Sequence, residues 1–275
     1  MSNKQAVPED LYEVTIVRYG TRETLRSDVF LNYPFYGLSD GPMTVDYFFW
    51  VVRGPNRTFI VDTGFNNEAG RKRQRTTCVD PVTAMRSLGI DPEAQNDVIV
   101  THAHYDHIGN LGSLPNSTVF MSRREYDFWT SEISDKTLLR QFTEAAEIDQ
   151  LVAAEKAGRM IFVENGYSPA PGITLLEISG HTPGQLAVLV ETSEGPTLLA
   201  SDAVHFYEEV ERDMPFVSLT SLLDTYSGLQ TVRDLQASGV RHLVTGHDAS
   251  TLQRFRPQRG DLGEHAAVIG SKEEW

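Results

Sequence analysis

Three histidines and an aspartate lie within six consecutive residues of the stretch Thr101-His102-Ala103-His104-Tyr105-Asp106-His107. Neutral imidazole nitrogen and carboxylate oxygen are the donors that zinc and similar divalent ions take. The chain has only 8 histidines in 275 residues, so a cluster this dense points to chemistry rather than chance. A helix brings residues three or four apart onto one face. This spacing is too tight for that, and it predicts an exposed loop that turns several donors toward one point. The preceding Asp97-Val98-Ile99-Val100 predicts a short buried strand that would hold the loop rigidly.

Three further donors stand where strands are predicted to end. His181 lies in Ser179-Gly180-His181-Thr182-Pro183-Gly184, Asp202 follows Leu198-Leu199-Ala200-Ser201, and His247 follows Leu243-Val244-Thr245-Gly246. Loops at one rim of a rigid scaffold are the usual place for a site. Gly180 and Gly246 permit the sharp turns that would aim the adjacent imidazoles. The inventory is then five histidines and two aspartates. It is one donor short of two four-coordinate metals, unless one carboxylate bridges both ions and a shared hydroxide fills the last position.

The elements that must position these residues read as follows. Residues 1–10 form a loose polar tail, and Leu11 to Val17 alternates as a half-buried strand does. Residues 19–46, rich in Gly, Pro, Asp and aromatics, predict a long irregular loop. A hairpin follows, Tyr47–Val52 and Thr58–Val61, turning at Gly54-Pro55-Asn56 and ending in Asp62-Thr63-Gly64. A helix is expected over 81–88, with Asp80 as its cap, Pro81 at its first position and Gly89 past its end. Strands are predicted at 97–101, 117–121, 160–163, 173–177, 185–191, 197–201 and 241–245, and helices at 123–130, 136–157 and 218–238. Glu208–Asp213 reads as a solvated acidic loop. The polar stretch 249–275 shows no clear pattern. Two groups of strands, each followed by helices, predict one α/β domain over residues 1–275 with two sheets and outer helices.

Composition bounds the function. The chain is 40% hydrophobic and 23% charged, with a formal net charge of -14. Nucleic acid and anionic membranes are met by basic surfaces, so neither is an expected partner. Cys78 is the single cysteine, which excludes an intrachain disulfide and favours a cytoplasmic setting. Met1-Ser2-Asn3-Lys4-Gln5 lacks the apolar core of a signal peptide, and no apolar run is long enough to span a bilayer. A small-molecule substrate is expected.

The donor set resembles that of the metallo-β-lactamase superfamily, whose signature is a His-x-His-x-Asp-His loop followed by separated His, Asp and His. Val61-Asp62-Thr63-Gly64 and Gly180-His181-Thr182-Pro183-Gly184 match it as well. The resemblance covers roughly residues 45–250 and implies an αβ/βα sandwich of two mixed sheets with metals at the rim between them. It places His102, His104 and His181 on one metal, and Asp106, His107 and His247 on a second, with Asp202 bridging. It implies two divalent ions, zinc by family habit, with iron, manganese or cobalt as alternatives. Asp62 would orient a histidine ligand through its other ring nitrogen.

Within the superfamily the chain is most similar to the N-acyl homoserine lactonase group. Met214-Pro215-Phe216, leading into a helix after Asp202, is shared with that group. The resemblance implies hydrolysis of a lactone by a bridging hydroxide, with Asp106 passing a proton to the leaving group, and a homodimer. Lactonases of the group place a tyrosine three residues after the bridging aspartate. Here His205 holds that position and the nearest tyrosine is Tyr207. His205 is therefore the candidate donor to the substrate carbonyl. Tyr33, Phe35 and Tyr36, with Phe48 and Trp50, would suit an apolar or aromatic substrate. The alternatives are another ester or thioester hydrolase of the glyoxalase II kind and, further off, a mononuclear iron oxygenase.

Overall fold

The computed structural model describes residues 11–270; the expected tail over 1–10 lies outside them. In chain order the elements are β1 (Glu13–Leu25), β2 (Pro42–Arg53), β3 (Thr58–Val61), α1 (Asn67–Lys72), β4 (Thr76–Thr77), α2 (Pro81–Ser87), β5 (Asp97–Ile99), α3 (Tyr105–Ile108), β6 (Thr118–Ser122), α4 (Arg123–Trp129), α5 (Thr137–Arg140), α6 (Ala145–Lys156) and β7 (Met160–Val163). The second half adds β8 (Tyr167–Ala170), β9 (Ile173–Glu177), β10 (Leu186–Thr192), β11 (Gly195–Ser201), α7 (Tyr207–Arg212), α8 (Leu222–Ala237), β12 (His242–Thr245), β13 (Arg256–Pro257) and β14 (Ala266–Ile269).

Two mixed sheets result. One runs β13-β14-β1-β2-β3-β5-β6-β7, with β4 added beside β1; the other runs β12-β11-β10-β9-β8. β3, β5, β6 and β7 are parallel neighbours, as are β11 and β12. The facing sides are apolar because alternate residues point inward. Phe48, Trp50, Phe59, Val61 and Ile99 of the first sheet interleave with Leu175, Val188, Val190, Leu199 and Val244 of the second. Burying each such side chain contributes about 1.5–3 kcal/mol, so this layer sets the spacing of the two sheets. The outer face of the first sheet carries a second cluster, in which Tyr19, Phe49, Ile60 and Phe65 meet Met85 of α2 and Leu151 of α6. Leu229 and Val232 of α8 cover the other sheet's outer face. This helix-sheet-sheet-helix layering is the predicted fold class.

Several boundaries depart from the sequence reading. The expected irregular loop over 19–46 is sheet at both ends and irregular between: β1 continues to Leu25 and β2 begins at Pro42, paired from Gly20↔Tyr47 to Leu25↔Pro42 past a bulge between Arg18 and Gly20. Polar Thr21–Thr24 hid this arm, because only its base packs on apolar neighbours. The helix expected over 136–157 breaks into α5 and α6, and that expected over 218–238 begins at Leu222, capped by the Ser221 side chain. The acidic segment 208–213 is helical as α7, and Glu209 is buried in it. The unpatterned C-terminal stretch supplies β14, which pairs with β1. The α2 prediction holds in detail: Asp80 Oδ1 accepts from the Thr83 amide at 2.9 Å, and Gly89 has a φ of 75°. Among the described residues no helix is long and apolar enough to cross a membrane.

Candidate metal centre

The candidate donors all follow strands and meet at one rim. Asp62 follows β3, the His102–His107 segment follows β5, His181 follows β9, Asp202 follows β11 and His247 follows β12. The rim is tied across the sheets. Thr101 Oγ1 donates to Asp62 Oδ2 at 2.7 Å and lies 2.9 Å from Ser201 Oγ of the other sheet, while the Leu186 amide donates to the Thr101 carbonyl at 2.9 Å. Asp62 and Ser201 both adopt positive φ, 62° and 46°. Such strain persists at sites whose surroundings over-determine the backbone. Gly246 is needed here, because a Cβ would sit 2.5 Å from Asp202 Oδ1. Gly180, at a φ of 139°, would place one 2.5 Å from the Thr225 amide.

The expected exposed loop is neither exposed nor wholly a loop. Tyr105–Ile108 forms one helical turn, and His102, His104, Asp106 and His107 are all buried. The tight spacing works because His102 and His104 lie on extended chain before the turn, while Asp106 and His107 lie on it.

All seven predicted side chains converge. His181 Nε2 lies 2.9 Å from His104 Nδ1 and 3.2 Å from His102 Nε2. Asp202 stands between the two groups. Its Oδ2 is 3.1 Å from His247 Nε2 and 3.4 Å from His181 Nε2, and its Oδ1 is 3.4 Å from His107 Nε2. Asp106 Oδ2 is 3.8 Å from His247 Nε2 and 3.9 Å from His107 Nε2. Three-donor groups able to hold an ion are His102/His104/His181, His102/His107/Asp202, Asp106/His107/His247 and His181/Asp202/His205, with donor atoms in each within 4.8 Å of one another.

The outer nitrogens show what the inner ones are for. His107 Nδ1 faces Asp62 Oδ2 at 2.8 Å, His181 Nδ1 faces the Ser218 carbonyl at 2.8 Å, and His247 Nδ1 faces the Asp46 carbonyl at 2.8 Å. Each acceptor fixes the proton on Nδ1, so each Nε2 turns a lone pair inward. Lone pairs that converge without donors between them repel, and buried His107 Nε2 and Asp202 Oδ1 have no hydrogen-bond partner. A cation satisfies all of them at once, so the donor set fits a pair of divalent ions.

The electrostatics agree. Burial and neighbouring imidazoles hold His102 and His104 well below the usual histidine range, and burial with nearby His205 takes His181 down to about 3. These three are neutral donors. Burial also opposes charge on His107, but Asp202, Asp62 and Asp106 outweigh it and raise its affinity for a positive charge well above normal. Asp202 is held well below the carboxylate range by His247 and His107, which outweigh its burial.

His205 joins the cluster, its Nε2 3.2 Å from Asp202 Oδ2 and without a hydrogen-bond partner. Its Nδ1 lies 3.1 Å from Glu209 Oε2. Burial opposes charge there too, yet Asp202 and Glu209 raise it to about 9. Tyr207 points away and donates to the Leu243 carbonyl, so it does not stand in for the lactonase tyrosine.

The aromatic expectation is corrected. Phe48 and Trp50 lie in the layer between the sheets, Tyr33 donates to the Ser39 carbonyl, and Phe35 is 88% exposed. A cavity of about 220 Å³ does open over the donors, walled instead by Tyr47, Tyr105, Phe142 and Phe216.

Sequence reasoning missed two buried carboxylates. Glu125 accepts from the Ala103 amide at 3.1 Å and the Gly184 amide at 2.9 Å, which joins the two histidine-bearing loops. Nothing in Arg123-Arg124-Glu125-Tyr126 signals this. Glu209 accepts from the amides of His205, Phe206 and Phe216. Its place three residues after the α7 cap is half of a capping box, but the cap is Phe206, which has no side-chain acceptor, so the sequence lacks the usual signature.

Comparison with known proteins gives the same family. The metallo-beta-lactamase superfamily profile matches residues 45–247. An N-acyl homoserine lactonase from Bacillus sp is 29% identical over 168 residues, 61% of this chain. The match spans about 61% of that relative's length. The crystal structure of a quorum-quenching N-acyl homoserine lactone lactonase has a TM-score of 0.75 at 20% identity, covering 90% of this chain and 97% of that one. A dizinc quorum-quenching lactonase in complex with a product, N-hexanoyl-L-homoserine, has a TM-score of 0.70 at 19% identity, covering 89% and 90%.

Proposed function

The chain belongs to the metallo-beta-lactamase superfamily, and from that premise we propose that it is a dinuclear-metal hydrolase that opens a lactone ring. The observation that carries this reading is the placing of Asp202 between two groups of inward-facing donors. His102, His104 and His181 would hold one ion, Asp106, His107 and His247 the other, and Asp202 both; zinc suits this nitrogen-rich set. When bound, such a pair supplies an acidified water as nucleophile near neutral pH and polarises the scissile carbonyl.

The chain's own residues do the rest. Asp106 is in the cavity wall, where its carboxylate receives the nucleophile's proton and returns it to the leaving alkoxide. His205, its Nδ1 facing Glu209, turns Nε2 toward the cluster; carrying a proton there, it would donate to the oxygen on which charge grows. Glu209 keeps the ring in that orientation, and the Phe216 ring stacks on it at 4.0 Å and excludes water from that side. Tyr47, Tyr105, Phe142 and Phe216 offer walls for an apolar or planar substrate body. The relatives' names support the lactone, and the seven donors support the two ions.

The test is ring-opening of simple lactones by the purified protein before and after dialysis against a chelator, with zinc added back. Chelator-sensitive turnover restored by metal is expected. Absence of metal-dependent turnover on any lactone or ester would overturn the reading.

A further inference from the structure

The cavity over the donors contains two arginines that metal chemistry does not require. Arg22 and Arg75 line it together with Asp106, His181 and His247. Their proximity follows from strand register. β4 pairs with β1 through Gly20↔Thr77 and Thr21↔Thr76, and Arg22 and Arg75 are the residues that adjoin this short ladder at its end. Other surface arginines of this acidic protein find carboxylates, such as Arg57 with Asp97 and Arg233 with Asp213.

Arg22 has no such partner. Among the described residues it forms no ion pair, and its buried Nε has no hydrogen-bond partner. Arg75 is fixed in place: its Nε donates to Tyr105 Oη at 3.1 Å, its Nη1 donates to the Arg73 carbonyl at 2.6 Å, and its guanidinium lies 5.8 Å from the centre of the Tyr47 ring. The one carboxylate lining the cavity outside the donor cluster is Asp28, which accepts from Thr24 Oγ1 at 3.2 Å. Outside the donor cluster, two guanidinium groups thus face a single acidic side chain across the cavity.

We propose that Arg22 and Arg75 form a carboxylate-binding subsite, and that the natural substrate is a lactone or ester bearing a carboxylate. A guanidinium presents a planar fork of donors that matches a carboxylate bidentately. A volume of about 220 Å³ holds a small ester with its anionic end on the arginines and its carbonyl over the donors. The subsite rests on the hydrolase reading for its substrate but not for its anion affinity, so the two are tested separately.

The experiment compares two matched esters, 4-nitrophenyl pentanoate and mono-4-nitrophenyl glutarate, on the metal-loaded protein and on Arg22→Ala and Arg22→Lys. Glutarate itself is titrated calorimetrically in parallel. A charge-assisted contact corresponds to roughly tenfold or more in affinity, so the glutarate ester is expected to be preferred by at least about tenfold in kcat/KM. Arg22→Ala should abolish that preference through KM, Arg22→Lys should restore part of it, and glutarate should bind the alanine variant about tenfold more weakly. Equal kcat/KM for the two esters, or glutarate binding unchanged by Arg22→Ala, overturns the subsite. Arg22-dependent glutarate binding, with no hydrolysis of either ester or of the simple lactones, upholds the subsite and overturns the hydrolase reading instead.

Discussion

On one side of Asp202 stand His102, His104 and His181; on the other stand Asp106, His107 and His247. The first group is imidazole only. Burial and mutual repulsion keep its rings neutral, and its loops are joined from behind by Glu125 through two backbone amides. The second is built on carboxylates. Asp62 sits behind His107, Asp106 beside it, and their field makes that position attractive to positive charge. One half would thus hold a cation by converging lone pairs and the other by net negative charge. The lesson is that a carboxylate removed from the second half should matter more than a hydrogen-bonding group removed behind the first.

Asp202 belongs to both halves, so its loss should have the largest effect. Asp202→Asn is expected to lower kcat/KM by more than about 100-fold, beyond the 10–100-fold typical of supporting residues. Elemental analysis should show both ions depleted; depletion of one alone would show that the two halves do not share it. Asp62→Asn probes the second half. The asparagine tolerates the positive φ and keeps an acceptor for the Thr101 amide, but the oxygen that faces His107 Nδ1 and the charge behind it are lost. Affinity for one ion of the pair should fall about 10–100-fold, read by competition with a chromogenic chelator.

Glu125→Gln probes the first half and should do less to catalysis. Its amide group cannot accept from both the Ala103 and Gly184 amides, so about 1–3 kcal/mol of stability is expected to go, measured by urea unfolding. Equal loss of metal in the Glu125 and Asp62 variants would erase the distinction between the halves.

The effect that bears least on the metal centre lies outside the site. Glu147 is buried, with Oε2 unpartnered and Oε1 accepting from Asn66 Nδ2 at 2.8 Å. Burial, with nearby Glu144, raises it to about 8. Its folded form therefore holds a proton that the unfolded chain releases near its ordinary carboxylate range. Stability should be greatest below that range and fall as pH rises toward 8. Glu147→Gln keeps the Asn66 contact and should flatten that decline, with a gain of about 1–3 kcal/mol at pH 8.5. A decline of equal slope in the variant would assign it to other groups.

The uneven legibility of the chain has physical causes. His102–His107, His181, Asp202 and His247 were readable because donor chemistry is written in residue type, and each follows an apolar strand whose periodicity marks its end. The groups that aim them were not. The Asp46 and Ser218 carbonyls are backbone and leave no signature, and Glu125 is one acid among many on a helix. The β1–β2 arm was misread as a loop because its outer half is polar on both faces, and that arm carries Arg22. The aromatic wall was misplaced for a related reason. Sequence shows that Tyr33, Phe35 and Tyr36 cluster, but only the fold shows that Tyr47, Tyr105, Phe142 and Phe216 face the cavity.

Metal stoichiometry of the purified chain, set beside that of His247→Ala, is the most direct measurement. Two divalent ions per chain in the parent and one in the variant, with lactone hydrolysis lost alongside, is the expected result. A parent protein that hydrolyses lactones at full rate with a single bound ion, or that binds none after zinc loading, would contradict the paired-ion centre.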